Sequence, residues 1–589
     1  MLNALRYIFF AVSLSIAVIA CGSAGSDGES GGGGTIPPNT DPITVSTDQT
    51  VYQPGEPVTF SLNRSADAGT VVRYKYLGKV IDEASVSGDG WQWTPPSDDY
   101  RGYMAELYRQ DSGSEKLLAT IGIDVSSDWS RFPRYGFLTD YSRMEPSQMD
   151  EVLDNLNRHH INGLQFYDWQ YKHHQMLAGT VNDPDSVWTN IANQDVYFST
   201  VSGYIQKAHK RNMKAMFYNL IYGALEDAAA DGVSGQWYLF TDQNHSNRDM
   251  HSLPSPMFKS SIYLLDPSNT GWQQYLAGEN QKVYDALGFD GFHMDQLGDR
   301  GARYDYDGNP VQLNQTYGPF IDVMRQAAPG KYHVFNAVNQ YGQSGIAKAS
   351  SDFLYTEVWS PNDGYSDLAR IIQDNNSFSE GTKNSVLAAY MNYDEADQEG
   401  YFNTPGVLLT DAVIFAFGGS HLELGEHMLG SEYFPNDNLD MKKDLREALV
   451  SYYDFLVAYE NLLRDGGAFN EPGVTTLGQV TLNAWPPQQG KVSVVGKQVD
   501  GRQVIHLLNF SDATTMKWRD NNGSQAYPFE QKDIPLSFES DQAVARIWVA
   551  TPDKRDGASQ DLDFSRNGSK ISFTLPSLKY WSMIVVEFE

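Results

Sequence analysis

The sequence predicts a central (β/α)8 barrel flanked by an N-terminal immunoglobulin-like β-sandwich and a C-terminal antiparallel β-domain. Three observations carry that prediction. Across residues 128–470, strand-like apolar runs alternate with amphipathic helical ones. On either side the helical text disappears, and short alternating strands are punctuated by Pro, Gly and Asp. Carboxylates, amides and aromatic residues gather at the C-terminal ends of successive barrel strands, the face on which such barrels carry their sites.

Residues 1–21 read as a leader. Arg6 precedes an apolar run from Tyr7 to Ala20 that is too short for a spanning helix, and Val18-Ile19-Ala20-Cys21 has the form of a lipobox. The expectation is an exported bacterial lipoprotein, anchored through lipid on Cys21 and facing the cell surface or the periplasm. Residues 22–42, GSAGSDGESGGGGTIPPNTDP, form a Gly/Ser-rich tether rather than fold. Cys21 is the one cysteine, which excludes a disulfide framework and a cysteine metal site. The formal charge of −31 argues against nucleic acid or an anionic membrane as partner of a broad basic face. The 35 Tyr and 12 Trp supply flat faces of the kind that stack on sugar rings.

Residues 43–127 contain TVYQPGEPVTFSL, VVRYKYLGKVI, WQWTPPSDDYRGYMAELYRQ and KLLATIGIDV, spaced as in a small sandwich. In residues 128–470 eight strands are expected: Arg134–Leu138, Gly163–Asp168, Lys214–Tyr218, Phe289–Asp295, His333–Asn336, Phe353–Glu357, Val386–Tyr390 and Val413–Phe417. Helices are expected over PSQMDEVLDNLNRHH, TVSGYIQKAHKRN and NTGWQQYLAGENQKVYDALG, the last with Gly288 as C-cap, and the final long one over DMKKDLREALVSYYDFLVAYENLL. Residues 471–589 return to strand texture in KVSVVGKQVDGRQVIHLLNF, ARIWVATP and WSMIVVEFE.

The stretch GFDGFHMDQLGDRG shows why these strand ends matter. It begins as a buried strand and ends in Asp295, Gln296, Asp299 and Arg300, so Asp295 is expected where the strand leaves the core. The other ends are FYDWQYKHH, FYNLIYG, FNAVNQ (Asn336, Asn339), YTEVWS, MNYDEADQE and GGSHLELGE. Two carboxylates among stacking aromatics, with no cofactor motif, point to glycoside hydrolysis, in which one carboxylate attacks or activates water and the other protonates the leaving oxygen. No strand-to-helix GxSxG elbow, P-loop or HExxH competes with that reading. His173-His174 are adjacent, and adjacent side chains diverge, so neither a metal nor any other cofactor is expected.

DVSSDWSRFPRYGFLTDY, NRHHINGLQFYDWQYKHH, GFDGFHMDQLG and FLYTEVW resemble glycoside hydrolase family 66, the endo-dextranases and cycloisomaltooligosaccharide glucanotransferases. The resemblance spans residues 43–589. It implies a retaining enzyme on α-1,6-glucan, with Asp295 as nucleophile and Glu357 as acid/base. It implies sugar-binding roles for Asp168, Trp169, Tyr171, Asn219, Tyr222, Gln296, Trp359, Asn392, Asp394 and Glu423. A monomeric dextranase on a dextran substrate is the expectation, because the intervals between strands leave no room for the carbohydrate-binding module that the cyclising members insert. The alternatives are a glucanotransferase and a non-catalytic glycan-binding lipoprotein.

Overall fold

Eight parallel strands follow one another in the chain: β1 (Tyr135–Leu138), β2 (Gly163–Phe166), β3 (Lys214–Leu220), β4 (Gly291–Asp295), β5 (Tyr332–Asn336), β6 (Leu354–Glu357), β7 (Ser385–Ala388) and β8 (Ser420–His421). Each pairs with its predecessor, so the sheet runs in sequence order from β1 to β8. These features come from a computed structural model that describes residues 42–589 apart from 112 and 479; the leader, Cys21 and the tether before residue 42 lie outside the described residues. The two edges of the sheet meet where Phe137 N donates to Leu424 O (3.2 Å) and Ser420 Oγ donates to Pro133 O (2.8 Å). The barrel is thus nearly closed.

Strands covered on both faces are buried along their length, and β4 and β6 are buried up to their last residue. There each ends in a half-buried carboxylate, Asp295 and Glu357. Gly291 opens β4 because a Cβ there would lie 2.3 Å from Tyr332 O of the neighbouring strand.

Helices α1 (Pro146–Arg158), α2 (Phe198–Lys210), α3 (Thr270–Leu287), α4 (Leu313–Ala327), α5 (Gln343–Lys348), α6 (Tyr365–Phe378), α7 (Thr404–Ala416) and α8 (Lys443–Ala458) alternate with the strands. The ends of α3 are written in its sequence. Asn269 Oδ1 accepts from Gly271 N and Trp272 N, and Gly288 closes the helix in the left-handed conformation at φ 72°. One expected element is wrong. Val413–Phe417 is not the eighth strand: Val413–Ala416 is the last turn of α7, Phe417 is its C-cap, and β8 lies beyond Gly418-Gly419.

Before the barrel, a three-stranded sheet (Val45–Thr47, Val58–Leu62, Gly90–Trp93) and a four-stranded one (Thr70–Tyr76, Lys79–Ser85, Arg101–Asp111, Ser114–Val125) are antiparallel and enclose a shared core that includes Phe60, Tyr74, Trp93 and Ile121. After it, a seven-stranded sheet built on Val492–Val499, Arg502–Asn509 and Trp581–Phe588 and a four-stranded sheet built on Gln531–Glu539 and Lys570–Leu578 enclose another, with Ile505, Leu536 and Ile584 inside. The pairings are antiparallel except that of Leu482–Ala484 with Val492–Val499. Among the described residues no helix is long and apolar enough to cross a membrane.

The N-terminal sheets sit hard against α8. Asp454, buried on that helix, accepts from Gly122 N (2.9 Å), Arg158 (2.8 and 3.0 Å) and His160 Nε2 (2.7 Å). Buried Arg134 pairs with Asp124 at 2.6 Å and Glu460 at 3.4 Å. The approach is close because glycines face the helix: a Cβ on Gly102 would lie 1.9 Å from Val457 O, and one on Gly122 would lie 2.7 Å from Asp454 O. Gly102→Ala is therefore expected to lower stability by about 3 kcal/mol, the upper part of the overpacking range. A urea midpoint equal to that of the unmodified chain would contradict this contact.

Candidate active site

Register brings the polar strand ends together. Leu220 pairs with Asp295, Asn336 with Tyr355 and Glu357 with Ala388, so the C-terminal ends of β3 to β7 lie side by side. Asp295 and Glu357 share one donor. Asn336 Nδ2 lies 2.8 Å from Asp295 Oδ1 and 2.9 Å from Glu357 Oε2. Tyr218 OH donates to Asp295 Oδ2 (2.8 Å), and Tyr390 OH donates to Glu357 Oε1 (2.9 Å). Donors from the ends of three strands thus fix two carboxylates carried on the two strands between them, each carboxylate holding hydrogen bonds on both oxygens.

The pair is electrostatically asymmetric. Burial raises both carboxyls above their ordinary range. On Asp295 this is opposed by donors from Tyr218, Asn336 and the Gln296 backbone. On Glu357 burial is reinforced by the negative charge of Asp295, and the group is pushed up to about 7, against donors from Asn336, Tyr390 and Trp359. At neutral pH the arrangement favours an ionised Asp295 beside a Glu357 that still holds its proton. Asp168 is a third carboxyl in the same field. Burial first and Asp295 next raise it to about 7, while Gln170 Nε2 at 3.4 Å opposes. Its backbone is left-handed, at φ 47°.

Of the ten residues expected to hold sugar, Asp168 and Trp359 belong to this constellation. Trp359 is half-buried and packs 5.4 Å from both Tyr390 and Tyr393. The side chains of the other eight make no contact with the carboxylate pair. Trp169 is fully buried against Trp188, Phe217 and Phe289, so it offers no face to a ligand. Asn219 is buried on His173, accepting at 2.8 Å and donating to its carbonyl at 2.8 Å. Tyr222 is buried and its hydroxyl accepts from Leu297 N. Gln296 is buried between Asn336 O, Gly298 N and Tyr317 OH. Asn392 binds the C-terminal region through Asp520 O (2.7 Å). Glu423 is buried against Tyr453 OH (3.0 Å) and His421 (3.4 Å), on the helix side of the barrel. Tyr171 faces the ammonium groups of Lys172 and Lys259. Asp394 is exposed on the turn Tyr393–Glu395, of which Tyr393 rather than Asp394 faces Trp359.

Asn336 was among the polar strand ends expected from the sequence, and Tyr218 and Tyr390 were within its reach. Side chains alternate along a strand, so a cleft-facing carboxylate at one strand end calls for the residues that share its face on the neighbouring strands, Tyr218 and not Asn219. A further contributor, Arg519, comes from the C-terminal region and has no signal near the barrel motifs.

Two clusters of described residues have the composition of a cation site, His174/Asp227/Asp231 and Asp411/His421/Glu423. In the first, Lys172 Nζ already lies 2.6 and 2.7 Å from the two carboxylates. In the second, His421 Nδ1 meets Asp411 at 2.7 Å and Nε2 donates to Ala389 O, so the ring is held as part of an ion pair. His173 and His174 diverge, one to Asn219 and the other to Asp231.

A parallel eight-stranded barrel with a hydrogen-bonded carboxylate pair at the ends of β4 and β6 defines a barrel glycosidase. Within that class the chain belongs to glycosyl hydrolase family 66, whose model matches residues 47–585. Two cycloisomaltooligosaccharide glucanotransferases from Niallia circulans are 28% and 27% identical over 84% and 92% of this chain, which spans 65% and 72% of their lengths. A dextranase from Streptococcus salivarius is 25% identical over 82% of this chain and 67% of its own length. The crystal structure of a Paenibacillus sp. cycloisomaltooligosaccharide glucanotransferase complexed with cycloisomaltoheptaose superposes with a TM-score of 0.85 at 26% identity, covering 92% of this chain and 99% of that one.

Proposed function

We propose that this chain is a retaining endo-dextranase, cleaving α-1,6-glucosidic bonds of dextran to linear isomaltooligosaccharides. The observation that carries the reading is the Asn336 nitrogen shared by Asp295 and Glu357. Two oxygens on one donor stand less than about 6 Å apart, near the roughly 5–5.5 Å of retaining glycosidases and below the 6.5–9.5 Å that leaves room for an attacking water. Glu357, raised to about 7, donates its proton to the glycosidic oxygen while ionised Asp295 attacks the anomeric carbon. A β-glucosyl ester on Asp295 forms. Glu357, now a carboxylate, takes a proton from water, and water attacks the same carbon to restore the α configuration.

The relatives' names include both a hydrolase and a transferase. Alignments to the two glucanotransferases extend over 648 and 709 positions although this chain has 589 residues, so those relatives carry inserted segments that it lacks. That supports hydrolysis. In a time course on dextran, early products should be linear and mixed in length, with a fast drop in viscosity. Cyclic products dominating the chromatogram would favour the transferase, and glucose alone from the start would reject endo-action.

The lipid anchor belongs to the same reading, motivated by the lipobox-like Val18–Cys21 and the tether behind it. Cys21→Ser should move the protein from the membrane fraction to the soluble one, or leave it unprocessed. Retention on membranes through a high-salt wash would reject lipidation.

A further inference from the structure

The segment from Trp518 to Gln525 leaves the C-terminal sheets and lies on the ends of β6 and β7. Trp518 N donates to Asp363 O (3.1 Å) and its indole N–H to Asn362 O (2.7 Å), Thr410 Oγ1 donates to Trp518 O (3.0 Å), and Asn392 N donates to Arg519 O (2.9 Å). Arg519, 9% exposed, is pinned near the start of this segment. Its Nη1 donates to Tyr390 O at 3.1 Å and its Nη2 to Val358 O at 2.7 Å. The guanidinium carbon lies 4.6 Å from the ring centre of Trp518, 4.9 Å from Trp359, 5.2 Å from Tyr393 and 5.9 Å from Tyr390.

The two carbonyls it joins are not arbitrary. Val358 follows Glu357 in the chain, and Tyr390 is the residue whose hydroxyl donates to Glu357 Oε1. We propose that Arg519 is a positioning residue for the acid/base carboxylate Glu357: one guanidinium, supplied by the C-terminal region, bridges the strand end that carries Glu357 to the strand end that carries its hydrogen-bond donor. This rests on the acid/base reading of Glu357 given above.

The choice of arginine follows from the geometry. A planar fork satisfies two carbonyls and stacks on aromatic faces at once, whereas an ammonium is a compact point charge. Burial pulls the Arg519 guanidinium down from its ordinary range, and the groups facing it, Tyr390, Tyr393, Glu357 and Glu432, push it back up. Glu432 is itself engaged by Tyr393 OH at 2.8 Å. A fixed cation here favours the anion of Glu357, so its removal lets Glu357 keep its proton to higher pH.

Arg519→Met and Arg519→Lys, in the full chain, test this against two substrates in the same preparation: dextran, whose leaving sugar needs a proton, and α-isomaltosyl fluoride, whose leaving fluoride does not. Arg519→Met should lose about 10²-fold on dextran, the lower end of general acid help. Its pre-steady-state fluoride release should stay within a few-fold of the unmodified enzyme, and its alkaline limb on dextran should move to higher pH. Arg519→Lys, which keeps the charge, should fall between. The ratio of the two rates is independent of how much of a sample is folded, so a destabilised variant still reports. An equal loss on both substrates with an unmoved limb overturns the proposal. If Glu357→Ala itself shows no preference for the fluoride, the acid/base reading falls and the role of Arg519 with it.

Discussion

Asp295→Ala is expected to be inactive on dextran and on activated substrates alike, with a loss of at least about 10⁴-fold in kcat, the order seen when a covalent nucleophile is removed. Both steps of double displacement pass through this carboxylate, so a better leaving group does not help. The site also explains why no neighbour substitutes. Glu357 is held by Tyr390 and Asn336, and Asp168 is buried with its carboxyl raised to about 7. If azide restores turnover to this variant, the product should have the inverted β configuration, because azide then enters the space left by the side chain. Retained activity on any α-1,6-glucan would remove Asp295 from the nucleophile's role.

Glu357→Ala should fail selectively. On dextran the leaving group is a sugar hydroxyl, and losing the proton donor should cost about 10² to 10⁴-fold. On a nitrophenyl or fluoride substrate the first step should be largely spared and the enzyme should stall as its glycosyl ester. A burst of leaving group should then be followed by slow turnover. Azide needs no deprotonation, so it should release α-isomaltosyl azide, readable by NMR. The pH dependence follows from the same group. The first step needs Glu357 protonated, and burial with the Asp295 charge raises it to about 7, so the rate on dextran should fall as pH rises through that region. In Glu357→Ala acting on the fluoride that alkaline limb should vanish. An unchanged limb would assign it to another group.

Seven of the eight barrel strands were legible in the sequence because each is a short apolar run stopped by a polar end. The eighth was not, for a physical reason. All thirteen residues of α7 are buried, so the helix has no polar face and no helical period to read. Its apolar run imitates a core strand, while β8 itself is only the pair Ser420–His421. Within the site, Asp295 and Glu357 followed from the strand-end rule together with the family resemblance. The rule does not say which of two successive polar residues faces the cleft, which is why Asn219 was expected in place of Tyr218. Arg519 lies 162 positions beyond Glu357, and only the folded chain brings them together.

The glycines beneath α8 have a mechanical consequence. Many enzymes that grip a polymer close two lobes on it about a hinge, and a hinge needs clearance between the lobes. Here Gly102 and Gly122 leave no gap against the helix, and any rocking would part Arg134 from Asp124 and take the Gly122 N–H away from buried Asp454. The N-terminal sheets therefore move with the barrel rather than against it. Whatever breathing the fold permits is left to the loops at the strand ends.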